Sequence, residues 1–263
     1  MRATLDEALK SAASRLAGAG PSPVAEAEEL LGRLLGLARA ELYLQRTRAL
    51  SADEWRRLDG WLARRARGEP VQYITGRAAF RGLDLVVNPA VLIPRPETEG
   101  LVEAVLGVLR EELARWPKPR VLDLGTGSGA VALALAAEWP EAAVTATDAS
   151  DEALAVARTN AAACGLADRV QFLHGDWFEP LAADERFEVI VSNPPYIATG
   201  ERESLPWEVR EFEPEQALFA GASGLEALRE IVEEAPRHLV AGGLLALELA
   251  EMRAREVAGW LEG

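Results

Sequence analysis

From Arg120 onward, short apolar runs alternate with helical stretches, and each of the first four runs meets a polar or charged group near its end. Val121-Leu122-Asp123-Leu124 reads as a strand, followed by Gly125-Thr126-Gly127-Ser128-Gly129 and a helix over 130–138. A strand over 143–147 ends at Asp148 and precedes a helix over 151–164. A strand over 170–173 ends in His174-Gly175-Asp176-Trp177, and another over 187–192 ends in Ser192-Asn193-Pro194-Pro195-Tyr196. A helix over 225–239, a strand over 244–249 and a helix over 253–261 complete the series. Strands alternating with helices specify a mostly parallel α/β sheet covered on both faces. Ligands of such sheets bind outside the carboxyl ends of the strands, where the polar residues of this chain gather.

The first 70 residues have a different pattern. Thr4-x-x-Glu7 and Ser51-x-x-Glu54 are capping boxes ahead of apolar residues at helical spacing. Ser22-Pro23 supplies an N-cap and a first-turn proline, and a short helix is expected over 40–44. The helix opened by Ser51 runs into Arg64, Arg65 and Arg67, read as a solvated helix end, and stops at Gly68. This predicts a small helical bundle, residues 1–70. Val71 to Ile93 reads as a β-hairpin linker, with Arg81-Gly82 at its centre. The prolines of Pro94-Arg95-Pro96-Glu97-Thr98-Glu99 predict irregular chain, followed by a helix over 101–113, so that the sheet domain covers 94–263.

Charge and cysteine content narrow the function. The formal net charge is −14. Residues 1–76 carry 12 Lys/Arg against 10 Asp/Glu, and the remainder 16 against 32, so the acidity belongs to the sheet domain. An acidic body repels polyanions, so no direct nucleic-acid substrate is expected. Cys164 is the one cysteine, there is no CxxC site, and His174 and His238 lack metal spacing, so no metal is expected. No apolar run approaches the ~20 residues that span a bilayer, and the charged start is unlike a signal peptide. A cytoplasmic protein without membrane partners is the expectation.

The glycine run lets backbone approach a ligand and opens helix N–H groups to it. Its GxGxG spacing differs from the GxGxxG of dinucleotide binders, which disfavours a nicotinamide-dependent oxidoreductase. Asp148 stands about twenty residues on, where a carboxylate accepts ribose hydroxyls. Ser150 is the better cap for the following helix, which leaves Asp148 to a ligand. Asp176 can meet an adenine amino group and Trp177 can pack on the ring. Gly125, Thr126, Gly127, Ser128, Gly129, Asp148, Asp176 and Trp177 are therefore the candidate cofactor residues, with Asn193 at the reactive end.

Two prolines stop the strand before Asn193 in a rigid elbow. Asn193 Oδ1 and the Pro194 carbonyl can accept both hydrogens of a planar NH2 group, turning its lone pair toward an electrophile. Tyr196 can pack flat on that group. Asn193, Pro194 and Tyr196 are the candidate catalytic residues, and Asn193, Pro194, Pro195 and Tyr196 the candidate substrate site. The fitting electrophile is a sulfonium methyl, with Asp123 and neighbouring carboxylates facing the cation.

At these residues the sequence resembles the class I S-adenosylmethionine-dependent methyltransferases, and more closely the release-factor glutamine N5-methyltransferases. The resemblance covers nearly the whole chain. Its most specific runs are Gly68-Glu69-Pro70-Val71-Gln72-Tyr73-Ile74-Thr75-Gly76 and Pro94 to Glu99, joined by Asp123 to Gly129, Asn193 to Tyr196, Phe212-Glu213-Pro214, Ala217-Leu218 and Gly224-Leu225. It implies a Rossmann-like fold and S-adenosylmethionine as cofactor, with S-adenosylhomocysteine as product. The implied substrate is the glutamine in the Gly-Gly-Gln motif of peptide chain release factors, gripped with the help of the N-terminal domain. Such enzymes end with two further strands, the last antiparallel. These C-terminal strands are missing after the helix that ends this chain, which predicts about five main strands and an apolar edge over 244–249, covered by a partner or by rearrangement if the sequence is not truncated. Alternatives are glutamine methylation of a ribosomal protein, amino methylation of a nucleic-acid base, and a catalytically silent nucleoside-binding module.

Overall fold

In the computed structural model, residues 3–20, 22–112 and 114–261 are described. Leu113, the expected last helical residue before the sheet, lies outside them. The chain divides into two compact units, Met1–Gly76 with Pro206–Phe212, and Arg77–Leu205 with Glu213–Gly263.

The N-terminal segment of the first unit contributes five helices: α1 (Leu5–Arg15), α2 (Pro23–Leu35), α3 (Arg39–Leu44), α4 (Ala52–Arg65) and α5 (Val71–Thr75). Both expected capping boxes form; Glu7 N–H donates to Thr4 Oγ1 at 3.3 Å and Glu54 N–H to Ser51 Oγ at 3.2 Å. Pro23 opens α2, whereas the Ser22 side chain makes no capping bond. Leu5, Leu16, Leu30, Leu31, Leu58 and Leu62 fill the interior, as their helical spacing demands. Two expectations change. Val71–Thr75 is a helical turn rather than the start of the hairpin, with Pro70 before it and Gly76 in the left-handed conformation (φ 72°) after it. A proline before and a left-handed glycine after bracket a helix as naturally as a strand. Arg65 is buried rather than solvated. Its guanidinium donates to Glu26 Oε2 at 2.7 Å and Glu208 Oε2 at 2.7 Å, while Arg64 pairs with Glu69. The planar fork serves two carboxylates and two backbone carbonyls at once, which an ammonium could not.

The second unit begins with an antiparallel hairpin, β1 (Arg77–Phe80) and β2 (Leu83–Val86). Arg81 (φ 44°) and Gly82 (φ 77°) form its two-residue turn, the geometry that matches strand twist. The hairpin expected as a linker thus clusters with this unit. α6 spans Pro96–Glu111, starting within the run whose prolines were expected to forbid regular structure. Pro96 occupies the first turn, where no intrahelical N–H is needed.

The sheet contains β3 (Arg120–Leu124), β4 (Ala143–Asp148), β5 (Val170–His174), β6 (Phe187–Ser192) and β7 (Leu239–Leu247), in the order β5-β4-β3-β6-β7, with every pair parallel. α7 (Ala130–Glu138) and α8 (Asp151–Ala163) follow β3 and β4. After β6 come α9 (Trp207–Phe212), which belongs to the first unit, and α10 (Glu226–His238); α11 (Glu251–Leu261) follows β7. The core against α6 and α7 includes Leu106, Val121, Leu133 and Val191, and the opposite face packs Leu122, Ile190 and Ile231. The number of strands, five, matches expectation, but β7 runs over Leu239–Leu247 where a strand over 244–249 was expected. Among the described residues β7 pairs only with β6, so it is an open edge, and its faces carry Leu244 and Ala246 on one side and Leu245 and Leu247 on the other. No helix among the described residues is long and apolar enough to cross a membrane.

Candidate active site

The strand order reverses at β3, with β4 on one side and β6 on the other, and a cavity of about 410 Å³ opens at the carboxyl ends of these strands. That is the position physics assigns to ligands in an open parallel sheet. The turn after β3 is held by its own polar groups. Buried Asp123 Oδ2 accepts from Thr126 Oγ1 at 2.6 Å and from Ala132 N–H at 3.1 Å. Burial raises its pKa to about 7, against the pull of those two donors.

Gly125 and Gly127 both have positive φ, and both line the cavity. A Cβ on Gly125 would lie 3.2 Å from the Trp177 ring, so only glycine lets the backbone and the indole share that wall. Gly129 has another task. It caps α7 in the left-handed conformation and is not part of the cavity wall; a Cβ there would lie 3.3 Å from Ala157 Cβ, so it serves the packing of α7 against α8.

Asp148 also faces the cavity. Its Oδ2 accepts from Gly127 N–H at 2.8 Å and its Oδ1 from Ser150 N–H at 2.9 Å. Ser150, as expected, caps α8 through Ala153 N–H at 3.1 Å. Burial raises the Asp148 pKa, while the Ser150 and Gly127 N–H groups oppose the shift. Thr126, Ser128, Asp176 and Trp177 complete this side, and Trp177 holds φ 38° with its carbonyl accepting from Thr147 Oγ1 at 2.9 Å. Asp123, Asp148, Asp176 and Glu230 surround the cavity with carboxyl groups, an environment for a cation.

The elbow stands opposite. Ser192 closes β6 and pairs with Leu124 of β3. Asn193 and Pro195 line the cavity; Pro194 and Tyr196 do not. Pro194 is buried beneath the turn, and Tyr196 is half-buried against the cluster that includes Leu225, Leu228 and Val257. Among the described residues no donor reaches the Pro194 carbonyl. The chain leaves the elbow alongside Phe219, with Ile197 N–H donating to the Leu218 carbonyl at 3.1 Å. Gly224 permits that path, because a Cβ there would sit 2.7 Å from the Tyr196 carbonyl oxygen.

Several contacts near the cavity carried no individual expectation from sequence. Asn193 Nδ2 donates to Thr98 Oγ1 at 3.1 Å, across 95 residues. Buried Glu213 accepts from Arg95 Nη2 at 2.5 Å and from Ile93 N–H at 3.2 Å, holding the chain ahead of α6. The signal for both was the polar run Pro94 to Glu99 beside apolar neighbours; spacing alone does not reveal which distant residue each will meet. No cluster of three or more His, Cys, Asp or Glu that could hold a metal is present among the described residues.

Known proteins resemble this chain in sequence and in fold. Residues 7–76 match the family described as PrmC N-terminal domain, and residues 103–209 the methyltransferase small domain. The catalytic domain of hMettl16, solved in complex with MAT2A 3′UTR hairpin 1, aligns with a TM-score of 0.55 over 83 % of this chain and 75 % of that one; at 16 % identity the likeness is of fold alone. Proteins named release factor glutamine methyltransferase are similar at higher identity. The Koribacter versatilis protein is 44 % identical over 94 % of this chain and 86 % of its own length. The Geobacter sulfurreducens protein is 47 % identical over 89 % and 79 %, and the Deinococcus radiodurans protein 44 % identical over 98 % and 90 %. This chain belongs to the release factor glutamine methyltransferase family.

Proposed function

We propose that the chain transfers a methyl group from S-adenosylmethionine to the side-chain amide nitrogen of the glutamine in the Gly-Gly-Gln motif of peptide chain release factors. The observation that carries this reading is the meeting of three elements at one cavity: the glycine turn after β3, Asp148 at the end of β4 and Asn193 at the end of β6. The cavity fits a nucleoside sulfonium in size and in its carboxylate-rich wall. Gly125, Thr126, Gly127 and Ser128 supply backbone beside the cofactor, Asp148 takes its ribose hydroxyls, and Asp176 and Trp177 take its base. Gly129 acts from behind, through helix packing. When bound, the cofactor supplies an electrophilic methyl group.

Asn193 Oδ1 and the Pro194 carbonyl accept the two N–H hydrogens of the glutamine side chain. Both acceptors stabilise the positive charge that develops on nitrogen as it gains the methyl and before it sheds one proton. Pro195 shapes the cavity wall against the planar amide, while Tyr196 packs behind the elbow on the cluster that includes Leu225. Residues 1–70 serve recognition of the release factor, 71–93 lead into the sheet, and 94–263 carry the chemistry; a protein substrate suits the acidic sheet domain better than a polyanion does. A cytoplasmic location suits a chain with one cysteine and a release-factor substrate.

The test is methyl-labelled S-adenosylmethionine offered with a release factor and with its Gly-Gly-Ala variant. Label on the first and none on the second is the expected result. Equal labelling of both overturns the glutamine assignment, and no labelling of either overturns the activity.

A further inference from the structure

Glu248 immediately follows β7, at the same carboxyl edge as the site, and its N–H donates to the Ser192 carbonyl at 3.0 Å. That bond pins it beside Asn193. Its carboxyl Oε2 is buried with no hydrogen-bond partner. The Thr98 hydroxyl and the Asn193 amide face the same carboxyl and favour its charged form, although burial, the larger effect, raises its pKa. Arg95 and Glu97 near the start of α6, and Tyr196 after the elbow, are the other ionisable groups in its field. A buried carboxyl group with an unpartnered oxygen beside Asn193 calls for a reason, because leaving such a group imperfectly paired is costly.

Hydrogen-bond direction supplies one. A carboxylate only accepts, a hydroxyl both donates and accepts, and an asparagine amide presents a donor end and an acceptor end. With Glu248 charged, the Thr98 hydroxyl donates its hydrogen bond to the carboxylate. Thr98 Oγ1 is then left as an acceptor, and the Asn193 group that meets it must be Nδ2, as observed at 3.1 Å. Asn193 Oδ1 is thereby directed at the incoming amide. A neutral group at position 248 permits the opposite sense, in which the Thr98 hydroxyl donates to Oδ1 and Asn193 turns its NH2 toward the substrate, where donor meets donor.

We propose that Glu248 is a positioning residue which, through Thr98, sets the orientation of the Asn193 amide and so makes the elbow an acceptor of the substrate N–H groups. This rests on the glutamine-methylating reading of the elbow. The wiring extends beyond the elbow itself: the residue that follows β7 acts through one side chain placed behind Asn193.

The test has an arm that needs no methyl acceptor. In 15N-labelled full-length protein, the Asn193 side-chain amide resonances, identified by their loss in Asn193→Ala, are followed from pH 4 to 8. They are expected to titrate in the wild type and to stay still in Glu248→Gln. The kinetic arm measures kcat on a release factor, with cofactor affinity measured separately. Glu248→Gln is expected to lower kcat about tenfold or more while cofactor affinity stays within about threefold. Thr98→Val is expected to act likewise, and Thr98→Ser to restore turnover. In an Asn193→Ala background, Glu248→Gln is expected to cause no further loss, because a residue that acts through another has nothing left to orient. Full kcat in Glu248→Gln, an equal loss in both backgrounds, or an unchanged Asn193 titration in Glu248→Gln overturns the proposal. If Glu248→Gln fails to fold, Thr98→Val decides, and wild-type turnover there overturns it. A wild type that methylates no release factor defeats the functional reading instead, and the resonance arm still judges the wiring.

Discussion

Ser192 Oγ donates to the Leu124 carbonyl at 2.7 Å, and both residues are fully buried. Ser192 precedes the elbow and Leu124 precedes the glycine turn, so this one bond ties the elbow to the glycine turn across β6 and β3. Ser192→Ala leaves the carbonyl without its side-chain partner and is expected to lower unfolding free energy by about 1–2 kcal/mol. Urea denaturation at constant slope is the measurement.

Asn193→Ala removes the side chain that reaches Thr98 and the cavity. Turnover on a release factor is expected to fall about 100-fold or more, while calorimetric affinity for S-adenosylmethionine changes by only a few-fold. A loss confined to cofactor affinity would count against the elbow as a substrate clamp.

Asp123 predicts a pH dependence of stability. Its pKa is about 7 in the folded chain against the ordinary 3.8, so between these values the folded state holds a proton that the unfolded state has released. Its contribution therefore declines as pH rises from about 4 to about 7, by at most about 1.4 kcal/mol per pH unit, and is fully present below that window. Asp123→Asn, which keeps an acceptor for Thr126 and Ala132, is expected to flatten that slope in unfolding curves recorded at pH 5, 6 and 7.

Gly129→Ala and Gly125→Ala separate packing from binding. Gly129 has φ 83° and its added Cβ meets Ala157, so the substitution is expected to destabilise the fold by about 1–3 kcal/mol. Gly125 has φ 68° and its Cβ meets the Trp177 ring at the cavity wall, so its substitution is expected to weaken cofactor binding as well. Thermal unfolding with and without cofactor distinguishes the two.

Arg65→Met strands the Glu26 and Glu208 carboxylates in the first unit. A loss of about 3 kcal/mol is expected, with little recovery in Arg65→Lys, because an ammonium cannot reproduce the fork. Hydrogen exchange at residues 206–212 reports whether that segment loosens first.

The sequence by itself determined the order of strands and helices, the capped ends of α1 and α4, the glycine turn and the proline-stopped elbow. Each is a local consequence of period, cap chemistry or proline geometry, readable within a few neighbouring residues. Only the tertiary structure decided that Val71–Thr75 is helical and that Pro96 starts a helix, since both prolines fit more than one local conformation. It also decided that Gly129 packs α7 rather than lining the cavity, and that Arg65 is buried. Above all it brought Thr98, Asn193 and Glu248 together, from three elements distant in sequence. No short-range pattern encodes that meeting: the sense of a hydrogen-bonded amide depends on which acceptor stands behind it, and strand order places that acceptor.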